Sequence, residues 1–208
     1  MPRPKESERK QSQENTRQRL LEAAANEFAQ KGYAGANIDQ ISRSAGYAKG
    51  TVYNYFQSKR TLLLELINTI AGQHFEYIRT RVMALDSPFS RLACFFKAGA
   101  DFVYEYYERA RLMVNILYSH DIDLRQELYQ AYLPMFQFLA AEVISPGVAS
   151  GDLRAVDPFQ TASLLMTIYL GTASQVDERR KPFLETQMVI EFITHALAAK
   201  QDHERKTA

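Results

Sequence analysis

Several features that would point to other kinds of protein are missing from this 208-residue chain. It has one cysteine, Cys94, so no intrachain disulfide is possible, and the chain fits a reducing compartment. No apolar run approaches the roughly 18–20 residues that a membrane span needs. The first nineteen residues, MPRPKESERKQSQENTRQR, have no apolar core and do not read as a secretory signal. Together these absences predict a cytoplasmic location. No segment alternates at period two between turn signals and no internal repeat is visible, which excludes a sheet protein and a solenoid. His74, His120, His195 and His203 are scattered without the spacing of a metal site, so no metal and no cofactor is expected. His120-Asp121 has no serine or glycine-rich elbow to accompany it, so enzymatic chemistry is not expected.

Hydrophobic residues make up 46% and charged residues 24%, values that suit a folded globular chain. The net charge of +1 conceals an asymmetry. Residues 1–60 hold 11 Lys/Arg and 6 Asp/Glu, or +5, whereas 61–208 hold 14 and 18, or −4. Such a division suggests a basic module that meets an anion, attached to a mildly acidic body, although a chance excess on solvated faces gives the same count.

The helical period recurs along the whole length, and the fold class it predicts is all-α with about nine helices. Residues 1–12, with Arg3, Lys5, Arg9 and Lys10, read as a disordered basic arm that either lies along DNA or solubilises the chain. A first helix over 14–31 carries Leu20, Leu21, Ala24, Ala25 and Phe28 on one stripe and is closed by Gly32. Asn37 then caps a short helix with Ile38, Ile41 and Ala45 on one face. Gly46 opens a four-residue turn, and a second short helix over 49–56 buries Val52 and Phe56. The outer face of that helix presents Lys49, Thr51, Tyr53, Asn54 and Tyr55, which makes the pair a helix-turn-helix candidate. Ser58 caps a long fourth helix whose first turn holds Lys59 and Arg60, cations set against the helix dipole that make sense beside a phosphate. Further helices are expected over 89–108, 110–119, 121–145 with a kink or break at Pro134 and an end at Pro146-Gly147, from Asp157-Pro158, and over 182–199. The domains are then 13–60 for the helix-turn-helix and 61–208 for the helical remainder.

The run Leu21…Ala24…Phe28…Gly32-Tyr33…Ile38…Ile41…Ala45-Gly46…Lys49-Gly50-Thr51-Val52-Tyr53-Asn54-Tyr55-Phe56…Ser58-Lys59…Leu62-Leu63 resembles the DNA-binding domain of the TetR family of bacterial transcriptional regulators. The resemblance covers about a quarter of the chain; the remainder matches only in helix number and layout. It implies a homodimer through the last two helices, a double-stranded DNA operator as partner, and repression released by a small-molecule effector in the C-terminal domain. It also implies DNA contacts at Lys49, Gly50, Thr51, Tyr53, Asn54, Tyr55 and Lys59. Arg43 and Asn37 are added as backbone contacts from the preceding helix. The chemistry agrees: a glycine lets the backbone approach a phosphate, hydroxyls donate to phosphate oxygens, and lysine or asparagine can read base edges.

The region after residue 60 holds 18 of the 24 Phe and Tyr residues. Phe95, Phe102, Tyr106, Tyr118, Tyr129, Tyr132 and Phe136 are candidates to line a pocket for an apolar or aromatic effector, against the simpler alternative of plain core. Two other functions stay open: a helical protein-interaction module that no longer binds DNA, and an all-α enzyme whose convergent catalytic groups are not visible.

Overall fold

A computed structural model describes residues 6–175 and 183–199. Among these residues the fold is all-α, with ten α-helices, one π turn, and a single isolated bridge between Leu153 and Ala198. Because residues 122–150 form one uninterrupted helical run, the continuous helices number nine.

Helix α1 (Glu6–Gly35) starts earlier than its apolar stripe does. Residues 6–12, expected to belong to a disordered arm, are helical; residues 1–5 of that arm lie outside the described residues. The reason is local. Glu6 and Glu8 sit in the first turn, where the helix dipole favours anions, and Lys10 reaches Glu6 at 3.1 Å. Helical geometry ends at Gly32, whose φ of 66° and ψ of 176° lie outside the helical region. Helix α2 (Ile38–Ser44), α3 (Lys49–Tyr55) and α4 (Lys59–Val82) follow, with Ser58 Oγ accepting from the Thr61 N–H at 3.0 Å to cap α4.

Then come α5 (Pro88–Glu105), α6 (Tyr107–Leu117), α7 (Ile122–Phe138), the π turn (Leu139–Ile144), α8 (Ser145–Ser150), α9 (Pro158–Ser174) and α10 (Thr186–Leu197). Two expectations need correction here. Pro134 lies inside α7 on an exposed position, and the α geometry gives way further on, where the Ser145 N–H bonds the Ala140 carbonyl five residues back. Pro146-Gly147 does not end the helix. Pro146 lies in the first turn of α8 directly after the π turn, and the helix stops at Gly151 with φ 79°. Gly147 is instead a packing glycine, since a Cβ there would meet Leu153 at 2.6 Å. The expected start of the last helix at Pro182 lies outside the described residues, and α10 begins at Thr186.

The described residues form two compact units, one running to Ile70 and including Glu108–Tyr129, the other holding Ala71–Tyr107 and the chain from Gln130 onward. This differs from a division at residue 60, because α4 and α7 each belong to both units. In the first unit Leu20, Phe28, Ile41, Val52, Phe56, Leu62 and Leu63 are at most 2% exposed, so α2 and α3 are fixed on a buried apolar core.

Candidate nucleic-acid interface and effector cavity

The helix-turn-helix is built in the first unit from α1, α2 and α3. Asn37 Oδ1 accepts from the Asp39 N–H at 2.8 Å and so caps α2. The backbone N–H of Asn37 donates to Glu27 Oε1 at 3.2 Å, an oxygen that also accepts from Lys31 Nζ at 3.0 Å. Glu27 is buried in α1, so the start of α2 hangs on a carboxylate shielded from water. Gly46 at φ 81° turns the chain, with its N–H on the Arg43 carbonyl and the Tyr47 N–H on the Ser42 carbonyl. The Tyr47 hydroxyl lies 3.3 Å from Thr16 Oγ1 and ties the turn to α1.

On α3, Val52 is buried, while Lys49, Gly50, Tyr53 and Asn54 are exposed and share the outward side. Gly50 has open space where a Cβ would be, so the protein's own packing does not demand glycine there. Thr51 and Tyr55 are half-buried, and the Tyr55 ring lies 6.4 Å from that of Phe56. Lys49 Nζ is paired with Asp39, 3.1 Å from Oδ1 and 3.2 Å from Oδ2. Arg43 is exposed, with Nε donating to the Asp39 carbonyl at 3.2 Å. Lys59 Nζ donates to the Ala34 carbonyl at 3.2 Å and lies 5.0 Å from the centre of the Tyr33 ring. Arg60 lies 3.9 Å from each of the carboxylates of Asp121 and Asp123, so its charge has intramolecular partners that a phosphate is not needed to explain.

The second unit holds a buried polar chain that the aromatic count alone did not reveal. His74, 4% exposed, stacks on Phe102 with ring centres 4.1 Å apart and planes 10° from parallel. Its Nε2 lies 3.0 Å from the Tyr169 hydroxyl and its Nδ1 3.2 Å from the Tyr132 hydroxyl. Tyr169 has one proton and gives it to the Gly99 carbonyl at 3.1 Å, so it must accept from His74 Nε2–H. Nδ1 is then bare and accepts from Tyr132. Every polar atom in the chain has a partner, and the imidazole is neutral: burial holds its pKa down at about 3, and the same burial pushes both tyrosine hydroxyls upward. Gly99 makes the approach possible, because a Cβ there would lie 2.5 Å from the Tyr169 ring.

The seven aromatic candidates do not converge on one pocket. Phe95, Phe102, Tyr132 and Phe136 are packed core. Tyr106 is half-buried with its ring 4.9 Å from Phe102. Tyr118 and Tyr129 belong to the first unit and are 64% and 46% exposed. A cavity of about 210 Å³ does occur in the second unit between α5, α9 and α10. Phe96, Ala100 and Val103, Tyr169 and Ala173, and Val189 form its apolar wall, with Asp101, Thr172 and Thr186 as polar groups. Tyr169, one of its lining residues, was legible as helical spacing but not as part of a cavity wall. Cys94 is half-buried and burial raises its pKa, which disfavours the thiolate a redox sensor requires. Among the described residues no group of His, Cys, Asp and Glu is placed to hold a metal.

Residues 20–66 match the family described as bacterial regulatory proteins, tetR family. The fatty acid metabolism regulator protein of Bacillus subtilis is 25% identical over 138 residues, 65% of this chain and 69% of that protein. A curated relative with 46% identity is matched over 52 residues only, so the chain spans about a quarter, 27%, of its length. Among solved structures, Bacillus subtilis FadR in complex with stearoyl-CoA has a TM-score of 0.76 at 19% identity, covering 87% of this chain and 97% of that one. AibR in complex with isovaleryl coenzyme A and operator DNA has a TM-score of 0.69 at 21% identity, covering 89% and 100%. At such identities the structural likeness concerns the fold, and it agrees with the helix-turn-helix match. No helix among the described residues is long and apolar enough to cross a membrane. By sequence the segment 20–66 belongs with the tetR family of bacterial regulatory proteins, and the chain as a whole shares the fold of the solved structures it resembles.

Proposed function

We propose that the protein is a ligand-responsive repressor that binds a near-palindromic operator as a homodimer. The observation that carries this reading is the outward side of α3, where Lys49, Gly50, Tyr53 and Asn54 are exposed on a helix anchored by Val52 and Phe56. Lys49 and Asn54 read base edges, Tyr53 and Thr51 donate to phosphates, and Gly50 lets the backbone come close. Asn37, Arg43, Tyr55 and Lys59 support the docking from around the helix, and Asn37 does so through the cap it gives α2. The partner surface is the outer face of α9 and α10, where Leu164, Met188 and Phe192 are 61%, 50% and 69% exposed.

The effector is a compact apolar or aromatic molecule that enters the cavity between α5, α9 and α10. An apolar cavity of about 150 Å³ is enough to take benzene, so 210 Å³ suits a single ring or a short branched acyl group. The acyl thioesters held by the solved relatives place short-chain acyl-CoA in the panel to be tried. Occupancy shifts α4, which belongs to both units, and changes the separation of the two reading heads so that they no longer fit the operator together.

Gel shift with DNA flanking its own gene tests the reading. Lys49→Ala with Tyr53→Ala should weaken specific binding by about a hundredfold, at roughly 1–3 kcal/mol per lost contact. Unchanged binding by that double variant contradicts the site.

A further inference from the structure

Asp39 is the one acidic residue between positions 28 and 60, in a stretch that also holds Lys31, Arg43, Lys49, Lys59 and Arg60. Its carboxylate is occupied by Lys49 Nζ through both oxygens, at 3.1 and 3.2 Å. Its backbone is pinned on both sides: the N–H by Asn37 Oδ1 at 2.8 Å, the carbonyl by Ser42 Oγ at 2.9 Å and Arg43 Nε at 3.2 Å. Lys49 is the first residue of α3, where the helix dipole opposes a cation and a carboxylate offsets it. Both side chains are substantially exposed, 38% for Asp39 and 54% for Lys49, so the pair contributes little to stability. Its consequence lies at the DNA surface.

We infer that Asp39 is a specificity-determining residue of the reading head, holding the Lys49 ammonium in an ion pair so that it is withheld from the phosphates of non-cognate DNA. The inference rests on the DNA-binding reading above. A phosphate offers Lys49 no more than the carboxylate already does, and it does so on every sequence. A base edge with an acceptor such as guanine O6 or N7 at the tip of α3 adds a directed hydrogen bond and makes the exchange worthwhile. Attraction to random DNA is thereby reduced while cognate binding keeps the lysine.

The test uses the full chain and a random-sequence 30-bp duplex, followed by fluorescence anisotropy across a salt series. Asp39→Asn keeps the backbone bonds of residue 39 and releases Lys49. It should tighten random-duplex binding about three- to tenfold and steepen the slope of log K against log salt by about 0.9 for each reading head engaged. In a Lys49→Met background the same Asp39→Asn change should alter affinity less than twofold. Equal gains in both backgrounds would mean a general field effect of one lost negative charge and would overturn the inference, as would no gain in either. Asp39→Ser should reproduce the behaviour of Asp39→Asn, and helical circular dichroism confirms that each variant is folded. If the wild type and Asp39→Asn both bind this duplex without salt dependence, or both fail to bind it, the DNA-binding reading itself is removed and this inference with it.

Discussion

His74 is the residue whose chemistry and position constrain each other most tightly. Within the fold it is neutral, with a pKa of about 3 against an ordinary 6.5, because burial disfavours the imidazolium. Between those values the unfolded chain binds a proton that the folded chain refuses. Stability from this group is therefore whole above pH 6.5 and is lost as pH falls from 6.5 toward 3, by about 2 kcal/mol at pH 5. Urea unfolding at pH 7 and pH 5 should show that loss in the wild type, and His74→Gln, which cannot titrate, should abolish it. An identical acid dependence in both proteins contradicts the buried neutral imidazole. Part of this was legible in the sequence. His74 falls on the inward stripe of α4 between Ile70 and Ile78, where a polar side chain needs a partner. Its partners, 58 and 95 residues away, carry no local signal.

Among the elements, the short helices α2 and α3 were readable because their signals are local: a cap at Asn37, a left-handed glycine at Gly46, and buried positions one turn apart at Val52 and Phe56. The connection of α2 to α1 was not, because it runs through Glu27, ten residues before the N–H it receives. A carboxylate on the apolar stripe beside Phe28 was the available hint. Glu27→Ala removes the buried carboxylate that accepts the part-buried Asn37 N–H bond and should lower unfolding free energy by about 1 kcal/mol, measured by chemical denaturation. No change would show that water satisfies the N–H as well as Glu27 does. The run from 122 to 150 was misjudged for a different reason. Proline and glycine are read as stops, whereas here Pro134 is carried inside a helix, Pro146 opens a turn of α8, and the departure from α geometry is a π turn that leaves no single-residue mark. The aromatic candidates are spread over packed core and surface, because helical spacing does not separate core from cavity wall. Phe95 and Phe96 are neighbours, and only Phe96 lines the cavity.

For the whole molecule, the charge division at residue 60 and the exposed apolar face of α9 and α10 support one account: a basic reading head used in duplicate. Phe192→Glu sets a charge in the middle of that face and should convert a dimer at micromolar concentration to monomer in sedimentation, with the far-ultraviolet helical signal kept. A monomeric wild type, or a variant that stays dimeric, contradicts the assigned surface. Hydroxyl-radical footprinting on DNA flanking the gene tests the central claim most directly, since it reports reading head and dimer together. The account predicts two protected half-sites about 34–36 Å apart along one face of the duplex, both lost with Tyr53→Ala and Asn54→Ala. A single protected patch, or protection that survives those two substitutions, would contradict it.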